Sequence, residues 1–198
     1  MQTLDQQKRK DILGAAERLF ATKPFHEVKL QDVASDARVG KGTIYVYFSS
    51  KEDLYRSLMC EGIGELVDRL RQRIVPEDQS SMESLRRIIA ELVTFAGSRP
   101  TLFQTARAIV HGQYDQTLAK LHTQMIDVIE QVIRRGIGRG ELADEHPELT
   151  ARYLPGAVRS ALAQKSKNLD RAALPEHVFN LFVRGLAVRE VKRRKIQE

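Results

Sequence analysis

Cysteine, proline and long apolar runs are all scarce in this chain of 198 residues. Cys60 is the single cysteine, which excludes an intramolecular disulfide framework and a CxxC zinc site. A lone cysteine is more often a small buried apolar residue than a redox sensor. Six prolines punctuate the chain and alternating β-branched runs are few, so a sheet protein is not expected. No stretch approaches the roughly 18 consecutive apolar residues of a membrane span. The start, MQTLDQQKRKDILG, has no apolar core of a secretory signal, and a cytoplasmic protein is expected. His26, His122, His146 and His177 are scattered without an HxxxH or HExxH pattern, so no metal site is expected. There is no GxSxG, no P-loop, no paired-carboxylate spacing and no nucleophile signature. An enzyme is therefore the weaker reading, and no cofactor is expected. No internal repeat or low-complexity segment appears.

What the chain does have is apolar residues at spacings of three and four along most of its length, the period of an α-helix. The fold class expected is all-α. Hydrophobic residues make up 42% and charged residues 29%, enough for a soluble domain with a substantial core. The net charge of +6 favours a polyanionic partner. That charge is spread out: residues 1–60 hold ten Lys or Arg against eight Asp or Glu, a net of +2. A nucleic-acid site would depend on placement more than on bulk charge.

The first helix is expected from Asp5 to about Thr22, ended by Pro24. A short helix LQDVASDA follows, then the turn Arg38–Gly40, then a third short helix KGTIYVYF. Two short helices across a three- or four-residue turn form the helix-turn-helix pattern. SSKED next carries capping-box spacings, Ser50 to Asp53 and Ser49 to Glu52. It opens a long helix to about Ile74. Further helices are expected over Met82–Gly97, Thr101–Tyr114, Gln116–Gly138, Pro147 to about Lys165 with a kink at Pro155-Gly156, and Pro175–Lys195. The run KRRK at 192–195 reads as a solvated helix end.

The stretch GKGTIYVYFSSKEDLY, Gly40–Tyr55, concentrates the chemistry. Gly40 and Gly42 remove side chains where a helix start would approach DNA. Lys41 brings charge, Thr43 a hydroxyl, and Tyr45 and Tyr47 phenolic donors on stiff stems. Ile44 and Phe48, four apart, form the core face. A helix this short and slim fits the major groove. Lys51 stands at the start of the next helix, placed to neutralise a phosphate.

ILGAAERLFATKPFHEVKLQDVA followed by VGKGTIYVYFSSKEDLY resembles the DNA-binding domain of TetR-family transcriptional regulators. The resemblance covers about the first 55 residues. It implies DNA contacts at Lys41, Gly42, Thr43, Tyr45, Tyr47 and Lys51, with Lys29 and Gln31 at a helix start that often touches the DNA backbone. Tyr47 stands where many members have His. Lys29 replaces a frequent Thr or Ser cap, and Gly40 a frequent Ser. Arg38 stands where the turn commonly has Gly. An Arg at positive φ is costly, so either the turn differs or the side chain reaches DNA.

On this reading residues 1–50 form the helix-turn-helix domain, and the helix 50–74 links them to an effector-binding and dimerisation domain over 51–198. The family resemblance implies a homodimer on a palindromic double-stranded operator, with a small-molecule effector of unknown identity and repression as the usual habit. Candidate effector residues are Phe103, Arg107, His111 and Tyr114, at spacings of four, four and three, together with Met125 and Tyr153. An Arg and a His among aromatics suit an anionic or aromatic ligand; a solvent-exposed face is the competing reading. Candidate interface residues are Gly156, Ala157, Ser160 and Ala161, then Val178, Leu181, Phe182 and Gly185, with intrachain packing as the alternative. A constitutive DNA-binding or membrane-surface protein without an effector also remains open.

Overall fold

Asp5 starts the first helix. In the computed structural model, which describes residues 5–74, 79–99, 116–163, 170 and 172–186, its Oδ1 accepts from the backbone N–H groups of Gln7 and Lys8 at 2.9 and 3.3 Å. That satisfies two of the orphan donors of a helix start. Helix α1 then runs Gln6–Thr22. Its end follows from Pro24: the preceding Lys23 is forced to extended backbone, φ −129°, ψ 145°. Helix α2 is Leu30–Asp36 and α3 is Lys41–Tyr47. Helix α4, Lys51–Ile74, is capped by Ser50, whose Oγ accepts from the Asp53 N–H at 3.0 Å.

The remaining helices are α5, Ser81–Ser98; α6, Gln116–Gly138; α7, Pro147–Ala163; and α8, Leu174–Leu186. The expected all-α class is the observed one, and the boundaries agree to within a residue or two wherever they fall on described residues. The expected helix over Thr101–Tyr114 lies outside them, as do residues 187–198 with the KRRK run. Helix α7 continues through Pro155, whose missing N–H leaves the Ala151 carbonyl without its usual partner.

The described residues fall into two compact units: those within Met1–Val67 and Phe95–His122, and those within Asp68–Thr94 and Thr123–Glu198. The division falls inside α4, not at its start. In the first unit, α1 packs on α2 and α2 on α3. Its core includes Ile12, Ala16, Phe20, Val33, Ile44, Phe48, Leu54 and Leu58, all buried. An aromatic cluster binds α1 and the connector after it to α4: the Phe20 and Tyr55 rings meet edge-on at 4.8 Å, and Phe25 lies 5.7 and 5.2 Å from the two.

The second unit buries the stripes of its own helices, among them Leu85, Ile88 and Leu92 of α5, Ile129 and Ile133 of α6, and Leu154 and Val158 of α7. Helix α6 ends in a tight fit. A Cβ on Gly136 would stand 2.6 Å from Leu142 Cδ1 and 2.9 Å from Ser81 Cβ, so only glycine lets these segments close up. Glu141 then accepts from the Ser81 N–H at 2.6 Å, and Arg135 donates to Ser84 Oγ at 2.9 Å. Among the described residues no helix is long and apolar enough to cross a membrane.

Candidate nucleic-acid interface

Ile44 and Phe48 fix the orientation of α3. Both are buried, at 0% and 2% exposure, as their four-residue spacing requires. With that face inward, the opposite face must look out. Tyr45 is 52% exposed and Val46 61%, and Lys41 and Gly42 are also exposed. A Cβ on Gly42 would meet nothing within 4 Å, so nothing in its described surroundings demands a glycine there. A helical glycine costs about 0.5–1 kcal/mol against alanine; closeness to a partner outside the chain is a reason to keep it. Thr43 is half-buried. Lys29 and Gln31, at the start of α2, are exposed, and Lys29 caps α2 without any side-chain hydrogen bond.

Tyr47 and Lys51 have work inside the fold. The Tyr47 hydroxyl accepts from the Asp5 N–H at 3.2 Å, tying the end of α3 to the start of α1. Its own O–H stays available to donate. Lys51 departs further from a phosphate contact. Its Nζ donates to the carbonyls of Phe25 and Val28, at 2.9 and 3.2 Å, and lies 4.4 Å from the Phe25 ring centroid. Two of its three N–H groups clamp the connector that delivers α2. The expected phosphate ligand is therefore first a structural pin, because the two carbonyls come within reach only in the folded chain.

Val46 is the residue that sequence reasoning missed. It has no polar group to single it out beside two tyrosines, yet it is among the most exposed large apolar side chains described. Its signal was positional: with Ile44 and Phe48 inward, residues 45 and 46 must face out. Apolar side chains on a helix in the major groove can meet thymine methyl groups.

Charges around the motif are sorted in a way that leaves cations free. Arg18 Nε and Nη2 both donate to Asp36 Oδ2, at 3.0 and 2.7 Å, so the carboxylate at the end of α2 is neutralised from α1. Arg9 pairs with Glu61 and lies over the Phe48 ring. The Asp53 carboxylate accepts from the Ser49 N–H and hydroxyl and from Arg56. These contacts, the Ser49 backbone bond first, hold its pKa below the ordinary value. The capping box thus forms with Ser50 as cap, and its carboxylate reaches one residue further back than the usual pattern.

A scan against family models matches residues 12–58 to the bacterial regulatory proteins of the tetR family. Residues 12–58 thus match the DNA-binding domain of that family. The matched stretch runs from the core of α1 to the second turn of α4. Among its relatives, the fatty acid metabolism regulator protein of Bacillus subtilis is 25% identical over 182 residues, covering 88% of this chain and 93% of that one. Among solved structures, FadR from Bacillus subtilis in complex with stearoyl-CoA superposes with a TM-score of 0.76 at 22% identity, over 89% of this chain and 98% of that one. A transcriptional regulator from Saccharomonospora viridis in complex with choline also reaches 0.76, at 20% identity, over 93% of this chain and all of the other. The shared fold thus accompanies very different ligands.

Of the effector candidates, Phe103, Arg107, His111 and Tyr114 lie outside the described residues. Met125 is buried in its unit. Tyr153 does not line an interior: it is 63% exposed on α7, because Leu154 and Val158 take the inward face. Of the interface candidates, Val178 is a correction, being buried within the chain. Its place on α8, four residues from the buried Leu174, makes it part of the intrachain stripe. Ser160 is exposed, Gly156, Ala157, Ala161 and Phe182 are half-buried, and Leu181 is 62% exposed. The side chain at 185 lies outside what is described. The exposed Leu149, Tyr153 and Ser160, with Gly156 and Ala157 between them, make one stripe along α7 at helical spacing.

Proposed function

We propose that this chain is a dimeric, sequence-specific DNA-binding repressor that leaves its operator when a small-molecule effector binds, and that the effector is a long-chain acyl thioester. Residues 1–50 would read DNA, and residues 51–198 would bind the effector and dimerise. The observation that carries the DNA reading is the fixed outward face of α3. Burial of Ile44 and Phe48 presents Lys41, Tyr45 and Val46 together on a rigid unit. The effector class is supported by the relative named as a fatty acid metabolism regulator and by the stearoyl-CoA complex of its structural neighbour. Arg107 and His111, among aromatics in sequence, suit an anionic head group. The exposed stripe Leu149, Tyr153, Ser160 and the exposed Leu181 support association of two copies. A twofold dimer would place its α3 helices about 34–36 Å apart and select a palindrome.

Release requires the effector to bind the DNA-incompetent state more tightly. A moderate preference suffices for regulation, since a full reversal from ~1:99 to ~99:1 needs about 10⁴-fold. Arg99 offers a route for that bias. It stands at the foot of α5, directly before residues 100–115, and pairs with Glu17 of α1 and Glu65 of α4, both at 2.8 Å.

The test is selection of bound fragments from the source genome, with Tyr45→Ala/Lys41→Ala protein as control, repeated in the presence of stearoyl-CoA and of choline. The reading expects a palindrome recovered by wild type, lost by the double variant, and released by stearoyl-CoA alone. A salt-sensitive, sequence-blind pool from both proteins would replace it with non-specific binding. A palindrome that neither compound releases would leave the DNA reading and sink the effector class.

A further inference from the structure

Two helices of this chain end in the same hydrogen-bonded motif with different residues at its strained position. At the end of α6, Gly140 has φ +72°. Its N–H donates to the Ile137 carbonyl at 3.0 Å, and the Glu141 N–H donates to the Gly136 carbonyl at 2.9 Å. At the end of α2, Arg38 has φ +55°. Its N–H donates to the Ser35 carbonyl at 3.2 Å, and the Val39 N–H donates to the Ala34 carbonyl at 2.9 Å. Both are the Schellman arrangement, in which the residue after the cap is left-handed and usually glycine. Arg38 is the one non-glycine residue at positive φ among those described. The turn forms as the motif requires, so the backbone does not avoid the cost; the arginine bears it.

Nothing in the described chain uses the side chain that brings this cost. Arg38 is exposed and makes no ion pair or side-chain hydrogen bond among the described residues. The nearest carboxylate in sequence, Asp36, is already taken by Arg18. Three residues on, Lys41 at the start of α3 is also exposed and unpaired among the described residues. Two free cations therefore flank the turn that leads into the outward face of α3. Strained non-glycine residues persist where something beyond local stability holds them.

We propose that Arg38 contacts a backbone phosphate of the operator, beside the bases that α3 reads. This rests on the DNA-binding reading above and adds a contact to it. A phosphate is the ligand because Arg38 precedes the reading helix and does not lie on it, and because a guanidinium fork matches phosphate oxygens in pairs. Such contacts set register on the duplex and carry no base preference.

The test compares full-length wild type, Arg38→Gly and Arg38→Lys on the genome-selected operator between about 50 and 200 mM salt. Arg38→Gly relieves the backbone, so its Tm should rise by roughly 2–4 °C. Its operator affinity should nevertheless fall, and its log K against log salt slope should become shallower by about 1 per protomer, or about 2 per dimer. The recovered sequence should stay the same. Arg38→Lys should retain most of the slope. If Arg38→Gly gains stability with affinity and slope unchanged, the strain is merely tolerated and the proposal is overturned. If the slope holds while one base position relaxes, Arg38 reads a base edge and the phosphate assignment is wrong. If wild type recovers no operator, the regulator reading falls and takes this contact with it.

Discussion

Replacing Lys51 with Met separates a pin of the fold from a ligand of DNA. The substitution keeps an unbranched stem of similar volume and removes the ammonium. Two hydrogen bonds to carbonyls are lost, those to Phe25 and Val28 at 2.9 and 3.2 Å. The contact over the Phe25 ring at 4.4 Å goes with them. A hydrogen bond to a charged group contributes roughly 1.5–3 kcal/mol net, and a cation over a ring about 0.5–2 kcal/mol. The side chain is half-buried, so water can take up part of what the carbonyls lose. A total near 2 kcal/mol is a reasonable expectation. For a chain of this size that is a fall in Tm of about 4–8 °C. Urea unfolding and operator binding should be followed on the same protein. We expect the midpoint to drop with the m-value unchanged. Operator affinity well below the melting range should fall modestly, with the salt slope nearly intact. A Lys51→Met protein as stable as wild type whose slope is shallower by about 2 per dimer would refute the reasoning and restore Lys51 as a phosphate ligand.

Four other outcomes follow from the same structure. Gly136→Ala should destabilise by about 1–3 kcal/mol, read by urea unfolding, because its Cβ would collide with Leu142 and Ser81, both buried; unchanged stability would mean that the α6 end can shift freely. Val46→Ala should leave Tm unchanged and weaken operator binding about fivefold, from loss of roughly 1 kcal/mol of apolar contact; an operator carrying deoxyuridine for thymidine should weaken wild type and not the variant, and equal responses would rule out a thymine-methyl contact. The lowered Asp53 pKa means that ionised Asp53 favours the folded state: its contribution is complete above the ordinary carboxylate pKa of about 4 and is lost as pH falls through the lower folded value, so the stability gap to Asp53→Asn should be constant near neutrality and shrink in acid, and a gap independent of pH would count against it. Arg99→Ala should leave operator affinity near wild type and reduce the effector's power to release it, read by fluorescence anisotropy of labelled operator with and without stearoyl-CoA; full release by the variant would remove Arg99 from the route.

Much of the fold was legible because helix signals are local. The three-and-four periodicity, Asp5 as a cap, Pro24 as a stop and Ser50 before the long helix each act within a few residues, and each stands where expected. The inward placement of Ile44 and Phe48 follows from the same period. What was not legible depends on backbone groups brought close by folding. No residue type announces that Lys51 will find the carbonyls of Phe25 and Val28, or that the Tyr47 hydroxyl will meet the Asp5 N–H 42 positions away. Val178 and Tyr153 exchanged their expected environments for a related reason. Periodicity identifies which residues share a face but does not say whether that face meets the chain's own core or the outside.

Gly42 and Arg38 point the same way from opposite chemistries. Gly42 weakens a short helix and fills no constraint set by its described neighbours; Arg38 strains a turn that glycine would take without cost. They lie four residues apart, Gly42 in α3 and Arg38 in the turn that leads into it, and the outward face of α3 carries Lys41, Tyr45 and Val46. Among the described residues the other left-handed position, Gly140, takes glycine, and Gly136 stands where a Cβ cannot fit; Gly97 and Gly138 are as unconstrained as Gly42, so it is the coincidence of Gly42 with the strained Arg38 that marks this surface. Departures from local consistency that cluster on one exposed surface are the physical mark of a surface shaped by something outside the chain. The departures are specific about that partner. It must come close to backbone at Gly42, accept from cations at positions 38 and 41, and present apolar and hydrogen-bonding groups to residues 45 and 46. A groove of duplex DNA between two phosphate ridges meets all of these requirements at once, whereas an apolar protein surface would leave Arg38 and Lys41 unpaired.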